Sequence, residues 1–360
     1  TISKSGGIRD PHVLRGEDGR SFYMVATDMF TVKYDWGENP GIVMLRSEDL
    51  INWTHSYIDL AETYPEHFGD AHWVWAPQTI FDPEAGKYMV YFTLNRKGVG
   101  GLVTYYAYAN DDFSGFEAEP QVLFSAKYGS IDNDIICKDG TWHLFYKGNT
   151  KDDEGREVKN GIQQATSTSL RGPWKEDFVY LDAYAGKTPV EGSSIFKLNG
   201  EERYVLMYDL YTSGRYEYQT SDDLYRFDSI PRPFNKDFHP RHGTVMPVTA
   251  AELRQLFDRW GRPEGMPEPP KRWIPCANAG ENTNSKPRAT PSSATSIRLT
   301  LRLWSRATRC GCSRGMTTRA TRTDTNSRTG VSSRPPTWST GRSGAASTHG
   351  RRGGAASTTS

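Results

Sequence analysis

"RDPHVLRGEDGRSFYMVATD" (9–28) decides how the first 250 residues fold. An apolar stretch runs into the turn "EDGR", and a second strand rich in aromatic and β-branched residues follows. The same design returns in "WAPQTIFDPEAGKYMVYFTL" (75–94), "SIDNDIICKDGTWHLFYKG" (130–148) and "VEGSSIFKLNGEERYVLMYD" (190–209). The turns "EDGR", "EAGK", "KDGT" and "NGEE" supply the Gly or Asn that a tight hairpin needs. The strand after each turn alternates or runs apolar, as a half-buried or buried strand does.

Each repeat has a second half. "GIVMLRSEDLINWTH" (41–55), "LVTYYAYANDDFSGFEA" (102–118), "GIQQATSTSLRGPWKE" (161–176) and "YEYQTSDDLYRFDSI" (216–230) each read as a strand, a polar turn and an aromatic that begins an outer strand. Four strands in a unit of roughly fifty to sixty residues is the pattern of a propeller blade. A fifth unit opens at "RHGTVMPVT" (241–249) and is cut short. The predicted fold is therefore all-β: a five-bladed β-propeller whose last blade is completed by N-terminal residues. A β-sandwich is the alternative, and it does not explain the regular recurrence. "AAELRQLFDRWG" (250–261) carries Leu253, Leu256, Phe257 and Trp260 at helical spacing, and Gly261 ends it. The propeller domain spans 1–261, and a Pro-rich linker follows over 262–274.

Composition changes after the linker. Residues 1–274 carry 30 basic and 41 acidic residues; residues 275–360 carry 13 Arg and 1 Lys against 1 Glu and 1 Asp. That tail has 1 Ile, 3 Leu, 1 Val and no Phe or Tyr, too few to bury a core. It reads as a disordered basic segment, and its Arg, Ser, Thr, Gly and Ala bias fits GC-rich DNA read in a shifted frame. A nucleic-acid arm is the weaker reading, since aromatics are not interleaved. No run of eighteen apolar residues spans a membrane. Cys137 is the only cysteine before the linker, so no internal disulfide is expected there. The chain starts at Thr1 rather than Met and reads as a fragment or a mature form. An extracellular or periplasmic setting is favoured over a cytoplasmic one.

Acids mark the repeat starts: Asp10, Asp132 and Glu191 each precede a first strand. First strands line a propeller's axis, so three acids distant in sequence converge on one mouth of the channel. Carboxylates packed this way repel, and at least one pKa should rise. Asp10 alone, beside Pro11, would be read as a turn residue. The other two acids make it a candidate for chemistry.

"RDPHV", "WAPQ", "SIDND", "VEGSSIFK" and "RHGTV" resemble, in order, the blade motifs of glycoside hydrolase family 43. The likeness runs from about residue 5 to 260. It implies a five-bladed propeller and inverting hydrolysis of furanosides or xylosides. It also implies Asp10 as general base, Glu191 as general acid, and Asp132 as the acid that orients Glu191 and tunes its pKa. Asn133 stands where the family often has Pro, which leaves Asp134 as a rival to Asp132; Asp132 is preferred because it aligns with the motif start. Gln78 stands where many relatives carry Glu. Trp75 is expected as a platform for a sugar ring, with Trp73 and Phe30 as further substrate contacts, and Arg241 could reach a substrate hydroxyl. His242 is expected near the channel centre, beside a water or a structural calcium. The chemistry itself needs no cofactor. Inversion needs a base to activate water on one face of the sugar and an acid on the other, about 6.5–9.5 Å apart. Glu191 must hold a proton, and an anionic Asp132 nearby would help by raising its pKa.

The expected function is an exo-acting glycosidase of plant-type polysaccharides and oligosaccharides. α-L-Arabinofuranosyl groups are the first choice of substrate and β-xylosyl groups the second. Specificity is assigned to loops 29–40 and 58–74. A non-catalytic carbohydrate-binding propeller is the competing class.

Overall fold

The structure, a computed structural model, describes residues 2–34, 36–148, 161–234, 242–263, 265–266 and 296–297. Within them each repeat becomes a four-stranded antiparallel sheet whose strands add outward in chain order. The first sheet holds β1 (Ile8–Arg15), β2 (Phe22–Asp28), β3 (Gly41–Ser47) and β4 (Trp53–Asp59), with a one-turn helix α1 (Thr31–Tyr34) after β2. Two more one-turn helices, α2 (Leu60–Thr63) and α3 (Pro65–Phe68), lead into the second sheet: β5 (Ala71–Asp82), β6 (Lys87–Arg96), β7 (Val99–Tyr108) and β8 (Gln121–Phe124). The third is β9 (Ser130–Lys138), β10 (Thr141–Gly148), β11 (Gly161–Ser167) and β12 (Lys175–Glu176). The fourth is β13 (Glu191–Lys197), β14 (Tyr204–Leu210), β15 (Arg215–Ser221) and β16 (Arg232–Phe234). All four turn glycines, Gly19, Gly86, Gly140 and Gly200, take positive φ, which is why the turns need them.

Packing shows why these sheets are blades. One side-chain layer joins Val25, Ile42 and Met44 of the first sheet to Val74, Val90 and Phe92 of the second. A second joins Met89 and Tyr91 to Leu144 and Tyr146 of the third, and a third joins Phe145 and Ile162 to Leu206 and Tyr208 of the fourth. Each middle sheet is thus covered on both faces. That explains near-continuous apolar runs such as β6, where Met89–Leu94 are all buried. Fully burying one Leu or Phe contributes roughly 1.5–3 kcal/mol, so these layers hold neighbouring blades together. The first strands β1, β5, β9 and β13 pack one against the next around the axis.

Five blades were expected, and the described residues contain four. The fifth unit supplies an inner segment from His242 and the short β17 (Val248–Thr249), which pairs with β18 (Ser296–Ile297). The reason is local. Thr249 caps the helix α4 (Ala250–Trp260): its side chain accepts from the Glu252 N–H while the Glu252 carboxylate accepts from the Thr249 N–H. Helix therefore takes the residues a second strand would use. N-terminal residues do not complete that blade either, since residues 2–7 form no strand and β1 belongs to the first sheet. The helix was legible and ends at Gly261, φ 85°. Leu253 is its buried anchor, against Val248, Leu50 and Met246, whereas Trp260 is exposed.

Side chains close the ring between the fifth unit and the first blade. Thr244 Oγ1 donates to Pro11 O and accepts from Val13 N–H. Arg15 donates to both Glu252 oxygens at 2.8 and 2.7 Å and to Pro247 O. No helix of the described residues is long and apolar enough to cross a membrane. Apart from Ser296–Ile297, the tail lies outside the described residues.

Candidate active site

Every inner strand breaks its regular course at the same level. Asp10, Ala76, Asp132, Gly192 and His242 have φ of 51, 45, 56, 64 and 57°. The first four fall where the ladder to the second strand shifts register. Such a bulge turns the chain and re-aims one side chain out of the strand's alternation, here toward the axis. Asp tolerates this left-handed backbone better than most residues. Asp10 and Asp132 thus occupy the same slot in two blades and His242 the matching one in the fifth unit, and Ala76 and Gly192 leave the other two slots small.

Glu191 stands one residue before its blade's slot. The slot itself must be glycine, because a Cβ on Gly192 would lie 2.4 Å from His242 Cδ2. The fourth blade therefore delivers its carboxylate from the preceding position, with a longer side chain. The expected equivalence of the three acids holds for Asp10 and Asp132, and Glu191 departs from it by this one residue.

His242 is the hub. Its Nδ1 lies 3.1 Å from Asp10 Oδ1. On the other side of the ring, Nε2 stands 3.6 Å from Asp132 Oδ2 and 3.5 Å from Glu191 Oε1, at the edge of hydrogen-bond reach. Asp132 Oδ2 also accepts from the Gly192 N–H at 2.9 Å, and Ser193 Oγ donates to Asp132 O. Lys147, on β10, donates to Glu191 Oε2 at 2.7 Å; both side chains are largely buried, 15% and 13% exposed. A cavity of about 20 Å³, lined by Asp10, Asp132 and His242 among others, has room for about one water.

Charge follows this geometry. Burial alone would raise Asp10, but the His242 imidazole and Arg9 outweigh it and hold its carboxyl below the usual range. Burial pushes Asp132 up, Glu191 adds to the push, and His242 only partly offsets it. Burial would raise Glu191 too, yet His242 and Lys147 reverse the sign and draw it well below an ordinary carboxylate. The expected rise of the Glu191 pKa beside Asp132 is thus not met, because His242 and Lys147 outweigh it. Burial would lower His242; the surrounding carboxylates raise it far instead.

Asp132 and Asp134 separate cleanly. Asp134 sits two residues deeper and accepts from the Ile195 N–H of the next blade at 2.8 Å. Other blades repeat that motif at the same depth. His12 Nδ1 accepts from the Thr79 N–H, and Thr244 Oγ1 accepts from the Val13 N–H. Gln78 engages Tyr91, whose hydroxyl accepts from the Ile135 N–H. Gln78 is therefore a tie between blades.

Aromatic side chains flank the first two blades at this end. Trp73 and Trp75 share one face of β5 and stack at 4.5 Å and 9°, and Trp75 Nε1 donates to Asn39 Oδ1. Phe30 is exposed at its edge and sits so close to Gly7 that a Cβ there would meet it at 2.8 Å. Trp36, not singled out from sequence, is 55% exposed and stands edge-on to Trp75 at 5.9 Å. Arg9 lies over Trp36 at 5.6 Å and donates to Met29 Sδ. Arg241 lies outside the described residues. Lys147 was also missed: it closes the strand "HLFYKG", and its contact spans 44 residues.

Ligand atoms of Asp132, Glu191 and His242 lie within 4.8 Å of one another. They suit calcium poorly, because calcium takes six to eight oxygens. Here one donor is an imidazole nitrogen, and the second oxygen of Glu191 is held by Lys147.

Comparison with known proteins follows the same lines. The family described as "probable glycosyl hydrolase domain", glycosyl hydrolase 43-related, matches residues 2–254. An α-L-arabinofuranosidase of Bifidobacterium longum subsp. longum is 24% identical over 300 residues; the match covers 73% of this chain and 28% of that protein's length. Among solved structures, a thermostable family-43 glycoside hydrolase is 21% identical with a TM-score of 0.49, over 68% of this chain and 81% of the other. RS223-β-xylosidase is 15% identical with a TM-score of 0.50, over 66% and 82%. With the family matched over most of its length, the chain belongs to the glycosyl hydrolase 43-related family.

Proposed function

We propose that the protein is an inverting exo-glycosidase that releases terminal α-L-arabinofuranosyl groups from plant-type polysaccharides and oligosaccharides. One observation carries this reading: three buried carboxylates from three blades converge on His242. Asp10 is the general base. Its depressed pKa keeps it ionised, as a base must be. Glu191 is the general acid, and Asp132 orients it by holding the Gly192 N–H beside it. Asp10 and Glu191 stand on opposite sides of one imidazole ring. That spacing is compatible with the roughly 6.5–9.5 Å that admits an attacking water. Water attacks the anomeric carbon as Asp10 takes its proton, while Glu191 protonates the departing oxygen.

The similarity to an α-L-arabinofuranosidase supports the choice of sugar, and β-xylosyl groups come second. The two stacked tryptophans offer a face for a sugar ring. A non-catalytic sugar-binding propeller is favoured by one observation, the Lys147–Glu191 ion pair, which draws the Glu191 pKa down, away from what a general acid needs.

The test is an assay of the full chain on nitrophenyl α-L-arabinofuranoside and β-xyloside, with the first-formed anomer followed by NMR. Inverted arabinose is the expected product. Retained configuration would exclude the single displacement. Sugar binding without turnover of either glycoside would establish the binding-module reading.

A further inference from the structure

Lys147 occupies a register position that recurs in every blade. Second-strand partners of Arg9, Trp75, Ile131 and Glu191 are Thr27, Thr93, Lys147 and Asp209. In the first two blades this residue makes a small neutral contact with the next inner strand. Thr27 Oγ1 accepts from the Ala76 N–H at 2.8 Å, and Thr93 Oγ1 accepts from Asn133 Nδ2 at 3.2 Å. A threonine hydroxyl is therefore enough to tie blade to blade here. The third blade instead places a long cation, largely buried, against Glu191. Burying an ion pair costs desolvation that a neutral contact avoids, so packing does not account for lysine.

We infer that Lys147 is a positioning residue for Glu191: by holding Oε2 it assigns Oε1 as the oxygen that delivers the proton to the leaving group. This rests on the glycosidase reading above. The contacts divide the carboxyl accordingly. Oε2 faces Lys147 Nζ at 2.7 Å, and Oε1 faces the His242 side of the pocket. Lys147 is itself fixed, lying 4.7 Å over the Tyr211 ring. During turnover the proton on Oε1 passes to the glycosidic oxygen as the anomeric C–O bond breaks, and its electron pair stays on that oxygen. Water supplies the new C–O bond and its proton goes to Asp10. Among the described residues, the charged groups near Glu191 include Lys147 from β10, Asp132 from β9, His242 from the fifth unit and Asp209, its ladder partner on β14. Of these, Lys147 donates to Oε2 at hydrogen-bond distance, 2.7 Å.

The experiment compares Lys147→Met and Lys147→Arg with wild type in the full chain. Each is given the same sugar on a dinitrophenyl and on an alkyl leaving group. Departure of dinitrophenolate needs no proton, whereas departure of an alkoxide does. General-acid help contributes 10²–10⁴-fold, so Lys147→Met should lose about 30-fold in kcat on the alkyl glycoside and under about 3-fold on the dinitrophenyl glycoside. Its alkaline limb should move to higher pH, because the cation that favours ionised Glu191 is gone. Lys147→Arg should recover part of the alkyl rate. Taking the ratio within one preparation cancels any misfolded fraction. Equal losses on both substrates, or an unmoved alkaline limb, would overturn the inference alone. If Glu191→Ala keeps wild-type alkyl hydrolysis, the glycosidase reading and this inference fall together.

Discussion

Two rings lie on the same inner strands, two residues apart. The upper ring is Asp10, Ala76, Asp132, Gly192 and His242; the lower is His12, Gln78, Asp134, Ser194 and Thr244. Both contain carboxyls and a histidine, and both are shielded from water. Upper-ring groups lean on one another across the axis and stay electrostatically unsettled: Nε2 of His242 makes no good hydrogen bond although it is buried. In the lower ring, His12, Asp134 and Thr244 each accept from a backbone N–H of a neighbouring blade. Residue type does not separate a site from a scaffold here. What separates them most clearly is the histidine: His12 Nδ1 has a backbone N–H to accept from, and His242 Nε2 is buried with only carboxylates at the edge of reach.

The sharpest test of that difference is removal of the two proposed reacting groups. Asp10→Ala and Glu191→Ala should each lower kcat on alkyl glycosides by about 10²–10⁴-fold. Thermal midpoints should move less than for lower-ring variants. A variant of Asp10 that unfolds while retaining its specific rate would erase the distinction between the rings.

Next in size is the pair two residues apart. Asp132→Asn should cut kcat by roughly 10–100-fold, on the scale of groups that support a catalytic acid. Asp134→Ala should instead leave kcat within a few-fold and destabilise by about 1–3 kcal/mol, because the Ile195 N–H loses its acceptor in the interior. Asp134 also has a pH signature. Burial pushes it up to about 7, above its unfolded value, so the folded state holds its proton longer. Its contribution to stability is complete below about pH 4 and is lost as pH rises through about 7. Asp134→Asn should flatten denaturant midpoints between those values.

His12 gives a pH effect of the opposite sign. Burial pulls its pKa down to about 3. The unfolded chain therefore binds a proton near pH 6.5 that the folded one refuses, and stability falls as pH drops from about 6.5 toward 3. His12→Leu should remove that dependence while costing about 1–3 kcal/mol at neutral pH, since the Thr79 N–H is left without its acceptor. Urea titrations at pH 4.5 and 7.5 check both parts.

Much of this was legible in the sequence, and the failures are physical. The four hairpins were readable because each turn carries a Gly at the required place, and the apolar runs announced strands covered on both faces. His242 was readable only as a motif member, and its role as hub depends on contacts from three other blades. Alternation could not place Arg9 or separate Asp132 from Asp134, because a bulge at the mouth interrupts alternation where it matters. The offset of Glu191 follows from a clash between Gly192 and His242, a contact between residues fifty apart. Lys147 hid inside an apolar strand, and Trp36 in a loop whose path composition does not dictate. The missing blade was misread because "RHGTVMPVT" carries the start of a unit, while the capping box at Thr249 commits the following residues to helix.

Between the first blade and the fifth unit the ring has a seam. Elsewhere, thick apolar layers join one sheet to the next; here only a small apolar cluster, Leu50 against Val248 and Leu253, backs the threonine, arginine and glutamate that fasten the two ends. Polar fasteners weaken with salt and with low pH in a way that apolar layers do not. A ring that parts at its seam separates Asp10 from His242, the two residues brought together across it. Loss of the site would then precede loss of the sheets, and the molecule would fall silent while most of its strands were still paired.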